Sequence, residues 1–217
     1  LVRGAIPGEV LAAKFAAMVD AYAQQPLDYG RHSRYGASWR ISCYLVVLDR
    51  WKPRIHPHAP MVACLGDVMA ACVTVFERWY NDTHPPPKSD GVLFSASVMN
   101  CFLTRYTAKP EENQLERHID GANVDGSVIL ALPTDDPFDG GALRVWDGKT
   151  KRRNGASSSS SSGGSDVLFE YDDMRPGDVV LLDARVWHQA LPIASGTRWA
   201  LVLFLKVTSH VSRDDAS

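Results

Sequence analysis

No uninterrupted apolar run in this chain approaches the roughly 18 residues that a membrane-spanning helix needs, so the composition points to no membrane partner. Charge of one sign is lacking too: 23 Lys and Arg stand against 25 Asp and Glu, for a formal net charge of -2. That balance gives no global attraction to nucleic acid or to an anionic lipid surface and leaves only local patches. Cysteine is scarce. Cys43, Cys64, Cys72 and Cys101 form no C-x-x-C pair and each sits in apolar surroundings. They read as buried free thiols rather than as disulfides or a zinc cage, which favours a reducing compartment, cytoplasm or nucleus. The chain opens at Leu1 rather than Met, as expected of a fragment or processed form, so the lack of a targeting segment carries no information on compartment. What is present is ordinary: 217 residues, 45% hydrophobic and 22% charged, suit one domain with a sizeable core, or a domain with a helical flank.

Along the chain the texture changes once. Residues 8–24, after Pro7, and residues 59–80 carry apolar side chains at helical spacing, and SWRISCYLVVL (38–48) between them reads as a strand. The Pro-rich stretch 81–91 is the best candidate for a subdomain boundary. From Val92 onward come short β runs separated by Gly, Pro and Asp: VLFSASVMNCFLTRY, QLERHID, SVILAL, GALRVW, DVLFEY, DVVLLD, RVWHQA and RWALVLFLKV. Many short strands at near-regular spacing imply a sandwich or barrel. The expectation is an α+β protein. Residues 1–91 form a helical flank and first strands of the same domain, and 92–209 form a double-stranded β-helix, or jelly-roll, core. The two helices would cover the outer face of one sheet. The Ser/Gly tract at 149–165 cannot bury apolar surface and reads as a mobile hairpin loop, with a basic root at Lys149, Lys151, Arg152 and Arg153.

Two stretches carry chemistry. LERHIDGANVDG holds His118 and Asp120, and VWHQALPIASGTR, about seventy residues later, holds His188 and Arg198. His-x-Asp on a strand puts both side chains on one face, with Ile119 pointing away. Two histidines and one carboxylate are the ligand set that leaves positions open on an octahedral iron(II), so a second strand must bring His188 alongside. Arg198, entering an apolar strand, offers a planar fork for a carboxylate. Each residue has a plainer reading: a polar strand end for His118 and Asp120, a core histidine for His188, a surface charge for Arg198. The occurrence of all four in this order favours a site.

On these residues the chain resembles the iron(II)/2-oxoglutarate-dependent dioxygenases, and among them the prolyl 4-hydroxylases. The matching elements are H-x-D at 118–120, GGALRVW at 140–146, PGD at 176–178 and H-x3-P-x3-G-x-R at 188–198. The pattern is more similar to the hypoxia-factor type than to the collagen type, whose cation for the co-substrate is usually lysine. The resemblance implies His118, Asp120 and His188 as catalytic iron ligands and Arg198 as partner of the far carboxylate of 2-oxoglutarate. It implies Tyr106 as a hydrogen-bonding neighbour of that co-substrate, or else a plain core aromatic. It implies O2 as co-substrate, with ascorbate a candidate further cofactor. The sequence departs from the pattern where many members carry a tyrosine; Thr134 or Thr104 would complete the carboxylate site. Arg117, Arg144 and Trp146 are the substrate-binding candidates, and Trp187 and Trp199 read as packing. His32, His56, His58, His84 and His210 read as surface residues.

The leading expectation is an enzyme hydroxylating a peptide or protein side chain, proline first. The alternatives are the same cofactors acting on modified nucleic acid or a free amino acid, or a non-catalytic metal-binding jelly-roll. Only the basic cluster at 149–153 supports nucleic acid, and no aromatic stacking platform accompanies it.

Overall fold

The structure, a computed structural model, describes residues 1–24, 42–49, 52–55, 59–85, 92–121, 123–146 and 167–211. Helix α1 (Gly8–Ala23) has Pro7 at its N-cap and buries Leu11, Met18 and Ala21. Helix α2 (Ala59–Thr83) buries Met61, Leu65, Val68, Cys72 and Phe76, a stripe stepping by three and four that turns a single face inward. By length and composition alone its Pro60–Thr83 stretch is apolar enough to cross a membrane, at a mean hydropathy of 1.5, which corrects the expectation of no such segment. In this fold the stripe is built into the core.

The helices lie on a six-stranded antiparallel sheet. Its strands are β1 (Ser42–Asp49), β2 (Lys52–Ile55), β3 (Val92–Thr107), β5 (Gly126–Ala131), β9 (Val179–Asp183) and β12 (Thr197–Val211), in the order β2-β1-β3-β12-β5-β9. Strands β3 and β12 pair along nearly their whole lengths, from Thr197 opposite Thr107 to Val211 opposite Val92. Alternation then sorts the side chains. Leu103, Val128, Leu130, Leu201, Leu203 and Leu205 point to the helices and join their buried stripe in one core cluster. Each such side chain stabilises the fold by roughly 1.5–3 kcal/mol relative to exposure. Phe102, Thr104, Tyr106, Ile129, Ala200 and Val202 point the other way and line a pocket.

A four-stranded sheet faces that side, with strands β4 (Leu115–His118), β10 (His188–Ala190), β7 (Leu143–Trp146) and β8 (Val167–Tyr171) in the order β4-β10-β7-β8. A two-stranded piece, β6 (Asp139–Gly140) with β11 (Ile193–Ser195), completes it. Two mostly antiparallel sheets with helices on one outer face make the expected double-stranded β-helix. Strands β2, β6 and β11 are two to four residues long, too short to leave a periodic signal. The expected strand at 38–48 is described from Ser42, and α2 runs on through Asn81 to Thr83. Residues 86–91, the 149–165 tract with its basic root, His32, His56 and His58 lie outside the described residues. Of the remaining histidines, His84 stacks on Tyr80 with centroids 4.2 Å apart and His210 is exposed.

The thiols Cys43, Cys72 and Cys101 are buried and unpaired, and burial pushes Cys43 up to about 11 and Cys72 up to about 12. Cys64 is half-buried. Trp199 packs edge-on to Tyr22 of α1, with centroids 4.9 Å apart.

Candidate metal centre

Strands β4 and β10 run antiparallel with His118 directly opposite His188, and their rings lie 4.3 Å apart, centroid to centroid. Strand β4 ends at His118, so Asp120 is not on the strand as the spacing suggested; it follows in the turn that leads to β5. Its carboxylate still converges. Oδ1 is 3.9 Å from His118 Nε2 and 3.7 Å from His188 Nε2. The three ligand atoms all lie within 4.8 Å of one another. With metal–ligand bonds of about 2.0–2.2 Å, ligands at right angles stand about 3 Å apart, so the widest pair must close by up to about 1.8 Å, which is under about 1 Å for each side chain.

The protonation pattern fits as well. His118 Nδ1 lies 2.7 Å from the carbonyl oxygen of Glu116, and His188 Nδ1 lies 3.0 Å from that of Val186. An N–H at each Nδ1 donates to its carbonyl, which leaves both Nε2 lone pairs facing Asp120. Burial, helped by the neighbouring His188, holds His118 below its ordinary pKa against the opposing pull of Glu116 and Asp120, so the ring is a neutral ligand. Asp120 and His188 are buried and His118 is half-buried, so access is from the His118 side.

Arg198 lines the same pocket. Gly196 precedes it at φ +70°, and a Cβ there would meet the carbonyl oxygen of Pro137 at 2.0 Å, so only glycine permits this entry into β12. The guanidinium is 5% exposed. Its Nη1 donates to the Gly141 carbonyl at 2.7 Å, and its Cζ lies 5.8 Å from the ring centre of Tyr106, its neighbour across the β3–β12 pair. Gly141 can approach because it sits at φ +70° and lacks a Cβ, which would meet Ile193 at 2.7 Å. Among the described residues no carboxylate pairs with Arg198. Burial lowers its pKa, against Tyr106, while burial pushes the Tyr106 phenol up to about 12, against Arg198. A buried cation without an anion is costly and calls for one from outside.

The pocket therefore brings together His118, Asp120, His188, Arg198 and Tyr106. It does not include Thr134, whose hydroxyl donates to the carbonyls of Thr197, at 2.8 Å, and Asp136, at 3.0 Å, within a turn. Thr104 lines the pocket in its place, its hydroxyl 3.2 Å from the Ala200 carbonyl. The substrate candidates Arg117, Arg144 and Trp146 do not line it either. Arg144 pairs with Glu170 at 2.8 Å. Arg117 lies over Trp146 at 4.5 Å and Trp187 at 5.1 Å, on the face of the four-stranded sheet turned away from the pocket. Parity is the reason: His188 and Ala190 face inward opposite Val145 and Leu143, so Arg144 and Trp146 must face outward. The same parity, read from Tyr106 and Arg198, would have found Phe102, Val202 and Phe204 of the apolar wall; Ile129 and Leu143, on other strands, complete it.

Two histidines and a carboxylate at an open-sided pocket of a two-sheet jelly-roll are a ligand set suited to a non-haem iron(II), and a buried arginine lies in the same pocket. The 2OG-Fe(II) oxygenase superfamily pattern matches residues 101–206, from within β3 to within β12. A search of curated protein sequences finds no match. Several solved structures share the fold. A 2OG-Fe(II) oxygenase family oxidoreductase from Burkholderia pseudomallei is 18% identical, with TM-score 0.52, over 90% of this chain and 79% of that one. A prolyl hydroxylase from Trichoplax adhaerens, in complex with a hypoxia inducible factor oxygen degradation domain peptide fragment, is 11% identical, with TM-score 0.52, over 94% and 81%. The non-heme alpha-ketoglutarate-dependent epimerase SnoN of nogalamycin biosynthesis is 14% identical, with TM-score 0.56, over 99% and 80%. At these identities the likeness is one of fold.

Proposed function

We propose that this chain hydroxylates a side chain of a peptide or protein, proline first, with iron(II), 2-oxoglutarate and O2. The observation that carries the co-substrate is Arg198: a buried guanidinium without a paired carboxylate among the described residues, in the same pocket as the His118, Asp120 and His188 group. Two neutral imidazoles and one carboxylate would leave a divalent ion one unit positive, matched to a chelating carboxylate. Iron(II) held there supplies the redox chemistry that converts 2-oxoglutarate, O2 and a substrate C–H into succinate, CO2 and C–OH. The chain's own part is placement. Arg198 holds the far carboxylate through paired N–H donors, with the Tyr106 hydroxyl beside it. Phe102, Ile129, Leu143 and Val202 keep water from the reacting atoms. The prolyl choice is supported by the order H-x-D, Gly-Gly, P-G-D, H-x3-P-x3-G-x-R. A peptide-bound prolyl hydroxylase among the fold relatives is consistent with it. SnoN, an epimerase on the same fold, keeps small-molecule chemistry as the second reading.

Anaerobic reconstitution with iron(II) and 2-oxoglutarate tests the class. A weak visible metal-to-ligand charge-transfer band is expected, absent in His188→Ala and weakened in Arg198→Ala. Folded, metal-loaded protein without the band would support a non-catalytic metal-binding module instead.

A further inference from the structure

A row of three residues crosses the four-stranded sheet. His188 is opposite Val145 in the β10–β7 pair, and Val145 is opposite Phe169 in the β7–β8 pair. Directly opposed residues share a face, so Phe169 stands on the same face as His188, two strands away. Tyr171 shares that face, opposite Leu143, which lines the pocket. The rings of Phe169 and Tyr171 stack, with centroids 5.9 Å apart and planes at 15°. Tyr171 packs against the buried cluster that contains Leu143, Val145 and Ile129, whereas Phe169 is 53% exposed. The pocket wall thus continues outward into an aromatic surface that the described fold does not cover. An exposed aromatic ring that extends a pocket wall offers an apolar contact surface.

We propose that Phe169, braced by Tyr171, is a substrate-positioning residue that receives an apolar side chain of a peptide whose oxidised residue lies at the His118, Asp120 and His188 group. This rests on the peptide reading above. The spacing sets the register: two inter-strand steps of about 4.8 Å put Phe169 roughly 10 Å from His188. An extended peptide advances about 3.3–3.6 Å per residue, so the side chain on Phe169 belongs to a residue about three positions from the oxidised one. An aliphatic chain or a pyrrolidine ring there lies flat on the exposed ring face.

The test uses short peptides with a central proline, varied through every residue type at the positions about three before and three after it. Oxygen gain is read by mass spectrometry, and binding by fluorescence anisotropy of the labelled peptide under anaerobic conditions. Wild type should prefer apolar or ring side chains at one of the two positions. Phe169→Ala should flatten that preference and weaken binding of the preferred peptide about tenfold. Phe169→Tyr should restore it, and 2-oxoglutarate binding should be the same in all three proteins. Unchanged peptide preference and affinity in Phe169→Ala overturn the platform alone. If wild type binds none of the peptides yet still forms succinate, the platform and the peptide reading fall together while the oxygenase class stands. A dimer in sedimentation that Phe169→Ala dissociates would assign the surface to a second copy and overturn the proposal.

Discussion

Replacing Arg198 by methionine should weaken 2-oxoglutarate binding at least about 30-fold without weakening the fold. The guanidinium is buried, and its one hydrogen bond shown among the described residues goes to the Gly141 carbonyl at 2.7 Å. In the liganded state it would become half of a buried, hydrogen-bonded charge pair, and truncating one partner of such a pair costs about 2–5 kcal/mol. That corresponds to a Kd raised about 30-fold to several-thousand-fold. The unliganded protein gives the opposite sign. There the cation has lost its water and gained no anion, so methionine forfeits about 1 kcal/mol of hydrogen bond and recovers a desolvation penalty of comparable or larger size. The assay is a thermal melt of metal-loaded, oxygen-free protein with and without 2-oxoglutarate. At a hundredfold excess over Kd, ligand should stabilise wild type by about 2.7 kcal/mol, a Tm rise of about 5–11 °C for a chain of this length. Arg198→Met should melt at or above wild type without ligand and, at the same ligand concentration, should gain no more than about 0.9 kcal/mol from it. A variant that responds as fully as wild type would sink the assignment of Arg198 to the co-substrate.

Three further outcomes follow from other contacts. Gly196→Ala must place a Cβ 2.0 Å from the Pro137 carbonyl at φ +70°, so chemical denaturation should show a loss of at least about 2 kcal/mol, with 2-oxoglutarate affinity falling because Arg198 moves with the turn. Arg117→Ala removes the cation from between Trp146 and Trp187 and should cost about 1–2 kcal/mol in the same experiment with 2-oxoglutarate affinity unchanged; a selective loss of peptide binding would return Arg117 to the substrate side. Asp178 governs the acid response of the N-terminus. Burial raises its pKa, but hydrogen bonds from the Arg175 and Gly4 amides and from Arg3 outweigh that and hold the carboxyl below its ordinary value of 3.8. Its stabilisation is therefore complete above the unfolded value and vanishes as pH falls through the lower folded value, and Asp178→Asn should flatten that acid limb of the stability curve.

The jelly-roll core was legible because its longest strands have one face in the helix-covered core and the other in the pocket. In β12 the residues facing the helices, from Trp199 to Leu205, alternate with Arg198, Ala200, Val202 and Phe204, which face the pocket. The helices were legible for the same reason at a different period, in the stripe Met61, Leu65, Val68, Cys72 and Phe76. Strands β2, β6 and β11 lie in no such run and are themselves too short to show a period. Strand β4 stopped two residues early because a turn, not a strand, can bring a carboxylate back toward two histidines on adjacent strands.

The site divides along the same line. His118, Asp120, His188 and Arg198 could be named from the chain because each type carries its chemistry alone, and only their convergence had to come from the fold. Thr134 lies elsewhere: a hydroxyl has several uses, and this one bonds within its own turn, while Thr104, on a pocket-facing row, lines the pocket. Arg117, Arg144 and Trp146 failed for want of register. Once His188 is set opposite Val145, the outward direction of Arg144 and Trp146 is forced, and so is the inward direction of Phe169, a residue that no motif marks. The contact proposed for Phe169 therefore depends on which residues oppose which across the four-stranded sheet, and a one-residue slip of β8 would put Leu168 or Glu170 where Phe169 now stands. Such a slip would leave His118, Asp120, His188 and Arg198 where they are, so the proposed chemistry rests on motifs and the proposed substrate contact on register.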